Sequence, residues 1–488
     1  MRYSGEPISR APIQLRPATW RVGVKWALLA YLLAGLARLV AWMVRHPWIV
    51  ALIVAAVGMQ VSMSVYGTTA TITPLAVLAV VLGVWGWRWR DSFHRLVWWP
   101  VKAIVRRAWI YRRGWQPAMT TVGLVERYND REFLPRLRRV RCVGYVDRVT
   151  VKMLPGQILD DYADQGERLA MTFGSRDCRV TTGNRHGELD LCFLTYDPLQ
   201  AVVLPLPPAD PPDLLGLPVA LREDGRVYRQ QLLGNHLLIA GATGSGKGSV
   251  LWSILQAVGP GIRSGLVEAW GIDPKGGMEF AMGQHLFARY CYGHPDSDDG
   301  DQADDDEGTA HELAFAEVLE EAVGLMQARQ TRLRGFTRLH TPTEDEPLIL
   351  IVIDELASLT AYVNDRDAKK RIRSALSMLL SQGRAVGVSV IAALQDPRKD
   401  VLPFRDLFPA RIALRLTERE QVDMVLGEGY RARGARCDRI PTSLPGVAYV
   451  VEDGIPEPAR IRFAYLSDDD IQTLSRRGLR AIEGGEAA

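Results

Sequence analysis

The sequence predicts an α/β fold for the larger, C-terminal part of the chain, with a largely parallel sheet covered by helices. Beyond residue 213, apolar runs of strand length alternate with segments of helical periodicity, such as residues 368–382. This alternation is typical of parallel sheets, because each crossover between parallel strands needs a connection of helical size. The predicted strands are residues 266–273, 348–353, 388–394, 410–416 and 447–451.

A glycine-rich loop follows an apolar run at residues 236–240 and precedes a helical pattern that starts near Val250. Strand, loop and helix in this order form the context that a phosphate-binding loop needs. Its glycines allow several backbone N–H groups to point into one hollow, and the helix adds its positive N-terminal end. The predicted phosphate-binding residues are Gly241, Ala242, Thr243, Gly244, Ser245, Gly246, Lys247, Gly248 and Ser249.

A second nucleotide-binding motif lies about a hundred residues later, where the apolar run 348–353 ends in Asp354 and Glu355. We expect Lys247 to contact the β- and γ-phosphates and Asp354 to hold Mg²⁺, directly or through water. Glu355 is then the candidate general base for the attacking water. The two motifs together predict that the protein binds and hydrolyses a nucleoside triphosphate with Mg²⁺.

The loop departs from the usual motif at one position. Serine or threonine usually follows the lysine and binds magnesium through its hydroxyl, but this chain has Gly248 there and Ser249 one residue later. One helical step rotates a side chain by about 100°. Either Ser249 reaches the metal from an adjusted first turn, or water fills that ligand position.

Composition restricts the function little. The chain of 488 residues is long enough for two or three domains, and it has a net charge of +3 and 47% hydrophobic residues. Its five cysteines are scattered, without a CxxC pair or a histidine at metal-binding spacing, which favours a reduced, cytosolic main body. The acidic segment 296–307 is typical of a surface insertion rather than a metal site.

The N-terminal part predicts a membrane anchor. Residues 48–66 and 72–87 are uncharged apolar runs with basic flanks, which predicts a hairpin of two transmembrane helices with both ends in the cytoplasm. A buried helical hairpin is the alternative. Residues 26–44, interrupted by Arg38, predict an interfacial amphipathic helix, with a third span as the alternative. The basic, tryptophan-rich residues 88–115 are expected on the membrane face.

The middle of the chain predicts a small α+β domain, with strands at 146–153, 169–173, 178–182 and 188–194 and a helix at 155–166. An arginine cluster here is interpreted as a solvated face, with nucleic-acid contact as the alternative; it comprises Arg136, Arg138, Arg139 and Arg141. A proline-rich linker follows. The predicted domains are 1–116 (membrane anchor), 117–204 (α+β), 205–218 (linker), 219–480 (motor) and 481–488 (tail).

The order of motifs over residues 213–475 resembles the FtsK/SpoIIIE family of DNA-pumping ATPases. The ending Lys247-Gly248-Ser249 and the short chain are similar to the conjugative transfer (Tra) proteins of actinomycete plasmids and integrative elements. The chain leaves no room for the winged-helix module or the long linker of chromosome-segregating members. The motifs that carry the resemblance are residues 236–247, 272–275, 351–356, 383–388, 392–397 and 409–413.

The resemblance implies a RecA-like P-loop NTPase motor that forms a hexameric ring around double-stranded DNA, with ATP between subunits. One subunit would offer an arginine to its neighbour's γ-phosphate; the candidates are Arg384 and Arg411, with a sheet-edge salt bridge as the alternative for each. Gln395 would sense the γ-phosphate, with a polar cap on the sheet as the alternative.

The function that the sequence favours is a membrane-anchored, ATP-driven translocase of double-stranded DNA in conjugation, located in the cell membrane as a multi-pass protein with a cytoplasmic motor. A chromosome-partitioning motor and an ATPase or coupling protein of a secretion system are the alternatives. The sequence predicts neither which DNA sequence is recognised nor the direction in which DNA is pumped.

Overall fold

The computed structural model describes residues 6–7, most of 57–65, and 67–128, 131–293, 305–398, 404–455 and 457–485. The chain divides into two compact units. The larger unit contains residues 107–126 and those from 134 onward, and the smaller contains the residues between 6 and 106 together with 127–133.

The smaller unit is mainly helical, and a π-helical turn, His94–Trp98, connects its last two helices. Its strands form a small sheet in the order β1-β3-β2. Its elements are β1 (Glu6–Pro7), α1 (Thr68–Arg88), α2 (Arg90–Phe93) and α3 (Trp99–Arg106), with β2 (Glu126–Tyr128) and β3 (Arg131–Leu134) at the junction of the two units.

Helix α1 covers the second predicted membrane run, 72–87. The stretch 26–44 and most of the first run, 48–66, lie outside the described residues. In the ranges that the structure does describe, no helix has both the length and the apolar character that a membrane crossing requires. The predicted transmembrane hairpin stays a prediction.

The larger unit begins with an α+β module whose strands form an antiparallel sheet in the order β4-β5-β7-β6. The predicted strand at 169–173 is wrong, because Leu169 and Phe173 lie one helical turn apart and are both buried against this sheet from a helix. The elements of the module are α4 (Arg112–Thr121), β4 (Arg136–Val143), β5 (Val146–Lys152), α5 (Leu159–Ala163), α6 (Gly166–Thr172), β6 (Asp177–Thr182) and β7 (Glu188–Leu194).

The rest of the larger unit contains a sheet of ten strands in the order β12-β11-β13-β14-β10-β15-β16-β17-β8-β9. The pairs from β12 to β15 are parallel and those from β15 to β9 antiparallel. The strands are β8 (Leu217–Arg222), β9 (Val227–Gln230), β10 (Leu237–Ala240), β11 (Val267–Asp273), β12 (Phe287–Tyr292), β13 (Leu348–Ile353), β14 (Val388–Leu394), β15 (Ala410–Ala413), β16 (Val447–Val451) and β17 (Ala459–Phe463).

Helices cover both faces of this sheet, and alternate residues of its central strands point to opposite faces. Helices α8 and α10 share one apolar core with Leu238 and Ile351, whereas α7 and α12 share the other with Ile239 and Leu350. The α/β fold class is therefore confirmed. The helices are α7 (Lys247–Arg263), α8 (Asp305–Leu333), α9 (Leu356–Thr360), α10 (Arg366–Gln382), α11 (Arg419–Leu426) and α12 (Asp468–Gly485).

Two arginines of the ten-stranded sheet form hydrogen bonds with the residues that follow β7 of the α+β module. Arg460 of β17 forms a bidentate pair with Asp197, with both N–O distances 2.9 Å; the Asp197 side chain is buried and that of Arg460 is only 12% exposed. The neighbouring Arg462 donates from Nη1 to the carbonyl oxygens of Leu199 and Gln200, at 2.9 and 3.0 Å. The module and the ten-stranded sheet are thus joined by buried, charge-assisted hydrogen bonds.

We expect Arg460→Ala to lower the free energy of unfolding by about 3 to 5 kcal/mol, because it leaves the Asp197 carboxylate buried without its partner. Arg439→Ala is the matched control, because the exposed pair of Arg439 and Glu167, 3.5 Å apart, joins the same two parts. Its cost should stay below about 1 kcal/mol. Urea unfolding measures both, and equal losses would contradict a stabilising role for the buried pair.

Candidate nucleotide-binding site

The phosphate loop follows β10, which lies between the parallel strands β14 and β15. The N–H of Gly241 donates to the Leu394 carbonyl at 3.1 Å, and the N–H of Ala242 donates to that of Arg415 at 2.9 Å. The loop is therefore anchored to the ends of both neighbouring strands.

Helix α7 begins directly after Gly246, which adopts a left-handed conformation (φ 96°) that favours glycine. A Cβ at this position would collide with the backbone of Gly446, whose N–H donates to the Ser245 carbonyl at 2.8 Å. The loop can pack against residues 445–446 only because position 246 has no side chain.

Lys247 is the first residue of α7, and its Nζ donates to the Gly241 carbonyl at 2.9 Å. Burial, together with the nearby Lys275 ammonium, lowers the pKa of Lys247. The ammonium thus lies folded against the loop, in a site where an anionic ligand would stabilise its charge.

The two predicted carboxylates lie buried at the end of β13 and contact an ammonium group. Lys275 Nζ is 3.3 Å from Asp354 Oδ2 and 3.0 Å from Glu355 Oε2. Burial raises the pKa of Asp354, although Lys275 opposes this effect. Burial alone would lower the pKa of Lys275, but the two carboxylates outweigh burial and raise it.

Asp273, at the end of β11, organises the loop that supplies Lys275. Its carboxylate accepts from the N–H groups of Lys275 at 3.2 Å, Glu279 at 2.9 Å and Phe280 at 3.1 Å. Sequence reasoning identified residues 272–275 as a motif but missed Lys275 and Glu279 as site residues. The feature of the sequence that could have identified Glu279 is its acidic side chain six positions after Asp273.

Glu279 lies against the first turn of α7. Its Oε1 accepts a hydrogen bond from Trp252 Nε1 at 3.0 Å, and a Cβ at Gly248 would collide with the same oxygen. Burial and the negative charge of Asp354 raise the pKa of Glu279 to about 7, although the Trp252 hydrogen bond opposes this shift. Position 248 therefore faces the acidic side of the site.

Ser249 lies on another side of the same helix. A Cβ built on Gly446 would be 3.8 Å from Ser249 Cβ, so Ser249 lies beside the loop that precedes β16. This placement agrees with the rotation of about 100° between successive helical residues.

Gln395 directly follows β14, and its Oε1 accepts a hydrogen bond from the Thr243 hydroxyl at 3.0 Å. Arg415, just beyond β15, donates from Nη2 to the Thr243 carbonyl at 2.7 Å. The structure thus brings Gln395 to the phosphate loop, together with an arginine that sequence reasoning missed. The parallel pairing of β15 with β10 accounts for the position of Arg415.

The two arginine candidates lie elsewhere. Arg384 is exposed in the turn Gly383–Val386 before β14, at the sheet edge opposite the phosphate loop. Arg411 lies within β15 opposite Leu238, and burial lowers its pKa. Within the described residues, no group accepts a hydrogen bond from Arg411 Nε.

The chemistry of the site fits a magnesium nucleotide. In the described ranges, no group of three or more His, Cys, Asp or Glu side chains is arranged to hold a metal ion. Magnesium bound to a nucleotide does not need such a group, because one or two carboxylates suffice when phosphate oxygens and waters complete the octahedron. Asp354 and Glu279 are carboxylates of this kind, and the N-terminus of α7 suits the phosphates.

Comparison with known proteins finds relatives of this chain. The chain is 26% identical over 356 residues to the DNA translocase FtsK of Streptococcus agalactiae, an alignment that covers 70% of this chain and 41% of that protein. It is 28% identical over 253 residues to FtsK of Staphylococcus aureus, covering 49% of this chain and 29% of that protein. The chain thus spans less than half the length of these relatives. No protein-family model matches it.

A solved structure has a similar fold. The pCW3 conjugation coupling protein TcpA, in a monomer form with ATPγS, superimposes with a TM-score of 0.50 and 18% identity. The match covers 75% of this chain and 98% of that one. The sequence similarity to FtsK agrees with the predicted resemblance to the FtsK/SpoIIIE family. The fold similarity agrees with the phosphate loop, the acidic strand end and the Gln395 contact.

Proposed function

We propose that this protein is an ATPase that couples hydrolysis of ATP to the movement of double-stranded DNA, through a RecA-like P-loop motor. The observation that carries the proposal is the meeting of β10, β13 and β14 at one sheet edge, where Lys247, Glu355 and Gln395 lie together. The similarity to proteins named DNA translocase FtsK supports DNA as the substrate.

In this proposal the backbone N–H groups of residues 241–249 and the N-terminus of α7 bind the phosphates. Lys247 exchanges the Gly241 carbonyl for phosphate oxygens. Magnesium, when bound, neutralises phosphate charge and orients the γ-phosphate. Glu355 takes a proton from the attacking water once its carboxylate is released from Lys275. Gln395, which contacts Thr243 of the phosphate loop, transmits conformational changes of that loop to the end of β14.

The assembly that the proposal favours is a hexameric ring with ATP between subunits. Arg384 is the better of the two candidates for a neighbour's γ-phosphate, because it is exposed whereas Arg411 is half buried within β15. An exposed guanidinium can reach a second chain without unpacking its own sheet.

Conjugation is the process that we favour for this motor. The fold similarity to a protein described as a conjugation coupling protein and the Lys-Gly-Ser ending of the phosphate loop support it. Chromosome partitioning and export of protein by a secretion system remain the alternatives, and the response of the ATPase to DNA distinguishes export from DNA transport.

We further propose that the N-terminal part attaches the protein to the cell membrane, with the motor in the cytoplasm. Helix α1 presents exposed apolar side chains, among them Val77, Val80, Val84 and Trp87. Basic residues follow it, as is typical of a cytoplasmic flank near anionic lipid. The two-span hairpin stays a prediction.

Lys247→Ala should abolish ATP turnover, because the loop then has no charge against the β- and γ-phosphates. Glu355→Gln should keep ATP affinity and reduce turnover by at least about a hundredfold, since the attacking water loses its base. Phosphate release and equilibrium ATP binding measure the two effects. Lys370→Ala, an exposed change on α10, is the control. Normal turnover of Glu355→Gln would show that another group is the base.

Double-stranded DNA should stimulate the ATPase of the full chain severalfold. DNA binding should weaken steeply as salt increases, because phosphate contacts release counterions, and it should depend little on sequence. A salt titration with duplexes of two unrelated sequences measures both properties. Equal stimulation by single-stranded DNA, or none by any DNA, would favour the secretion alternative.

The full chain should fractionate with membranes. If the predicted hairpin exists, a cysteine at Thr69 should react with an impermeant maleimide added to intact cells, and one at Ser4 should not. Labelling at Ser4 would indicate three spans. Recovery of the chain in the soluble fraction would contradict membrane attachment.

A further inference from the structure

In the first turn of α7, Gly248 has no side chain, and the Glu279 carboxylate, which the sequence did not indicate as a site residue, lies against it. The residue after the phosphate-loop lysine is Gly248, and the space that a side chain would need there is taken by Glu279 Oε1. A glycine in the first turn of a helix costs helix stability relative to alanine. The absence of the side chain leaves room for the Glu279 carboxylate beside the position whose serine or threonine hydroxyl usually binds magnesium.

Two interactions fix the Glu279 carboxylate at this place. The N–H of Glu279 donates to Asp273 at 2.9 Å, which positions its backbone, and Trp252 donates to Oε1 at 3.0 Å, which positions its side chain. Trp252 lies on α7 itself, one helical turn beyond Gly248, so the carboxylate is aligned with the helix that carries Lys247.

The charges around Glu279 favour a cation. Its carboxylate is partly buried, and its loop is tied to the acidic strand end. The N–H groups of Glu279 and Lys275 both donate to Asp273, and Lys275 Nζ lies 3.3 Å from Asp354 Oδ2. A divalent ion bound by Glu279 and Asp354 would stabilise both negative charges. A magnesium ion with one or two carboxylates, phosphate oxygens and waters needs no further protein ligand.

We propose that Glu279 replaces the usual serine or threonine hydroxyl and, with Asp354, holds the magnesium ion of bound ATP. Gly248 and Glu279 are then a matched pair, in which the glycine makes room for the ligand. Ser249 is not needed for the metal, because it lies beside Gly446 on another side of α7. This inference rests on the proposed ATP binding and deepens it.

The experiment measures the affinity of the full chain for ATPγS with excess Mg²⁺ and with EDTA. Glu279→Gln should reduce the gain in affinity that Mg²⁺ gives by about 10- to 100-fold and leave the affinity in EDTA unchanged. The amide oxygen of glutamine can still accept the Trp252 hydrogen bond. The variant therefore distinguishes a role of Glu279 as metal ligand from a role only as hydrogen-bond acceptor for Trp252. Electron paramagnetic resonance of Mn²⁺ with ATPγS gives a second readout, in which the variant should bind less of the ion.

A rescue variant keeps the test independent of folding defects. Glu279→Ala should lose the Mg²⁺-dependent gain, and Gly248→Ser combined with Glu279→Ala should recover most of it, because the serine hydroxyl then has space beside the metal. Gly248→Ser alone should do worse than the double change, since its side chain meets the Glu279 carboxylate. Glu344→Gln, an exposed change, is the control and should leave the gain unchanged.

An unchanged Mg²⁺-dependent gain in Glu279→Gln would overturn the inference, and so would an equal loss of affinity with and without Mg²⁺. Absence of ATPγS binding by the wild-type chain would instead contradict the proposed function. The two failures are therefore distinguishable.

Discussion

The site depends on the parallel pairing of β10 with β14 on one side and β15 on the other. Parallel strands end at the same edge, so residues that are far apart in sequence meet there without any loop having to reach across the sheet. The register places Ala240 opposite Leu394, which fixes Gln395 beside the phosphate loop. Since every residue of β10 is buried, a shift of this strand would expose apolar side chains, and the core thus maintains the geometry of the site.

A second constraint is the balance of charge at that edge. Carboxylates and two ammonium groups lie within a partly buried region, where burial and neighbouring charges shift the pKa values of Lys247, Lys275, Glu279 and Asp354. Lys275 neutralises Asp354 and Glu355, which reduces the cost of burying two adjacent acids. The same ion pair with Lys275 also engages the carboxylate of Glu355, the candidate base. An anionic nucleotide and its metal would alter this balance, because phosphate competes for the ammonium groups while the metal competes for the carboxylates. Binding of a nucleotide and its metal would therefore favour release of Glu355 from Lys275.

The sequence predicted the elements whose signal is local. Residues 348–353 are a continuous apolar run and residues 388–394 an apolar run with one serine, both are buried on both faces, and the structure has strands at these bounds. Strand β17 was missed because arginines alternate with its apolar residues, and those arginines are held by the α+β module. Position 279 was missed for a different reason. Its contact with Gly248 joins residues 31 positions apart, and it exists only after β11 has placed Asp273 at the sheet edge.

The departure at Gly248 is accompanied by a second residue, distant in sequence, that contacts the same position. In isolation, glycine after the phosphate-loop lysine removes a metal ligand and weakens the first turn of α7. In the fold, the same glycine allows an acidic residue from the loop after β11 to approach that turn. An ionised carboxylate carries a full charge where a hydroxyl carries none, so its attraction to a divalent ion would exceed that of a serine or threonine hydroxyl. Positions that contradict a motif are therefore best interpreted together with the residue that fills the space they leave.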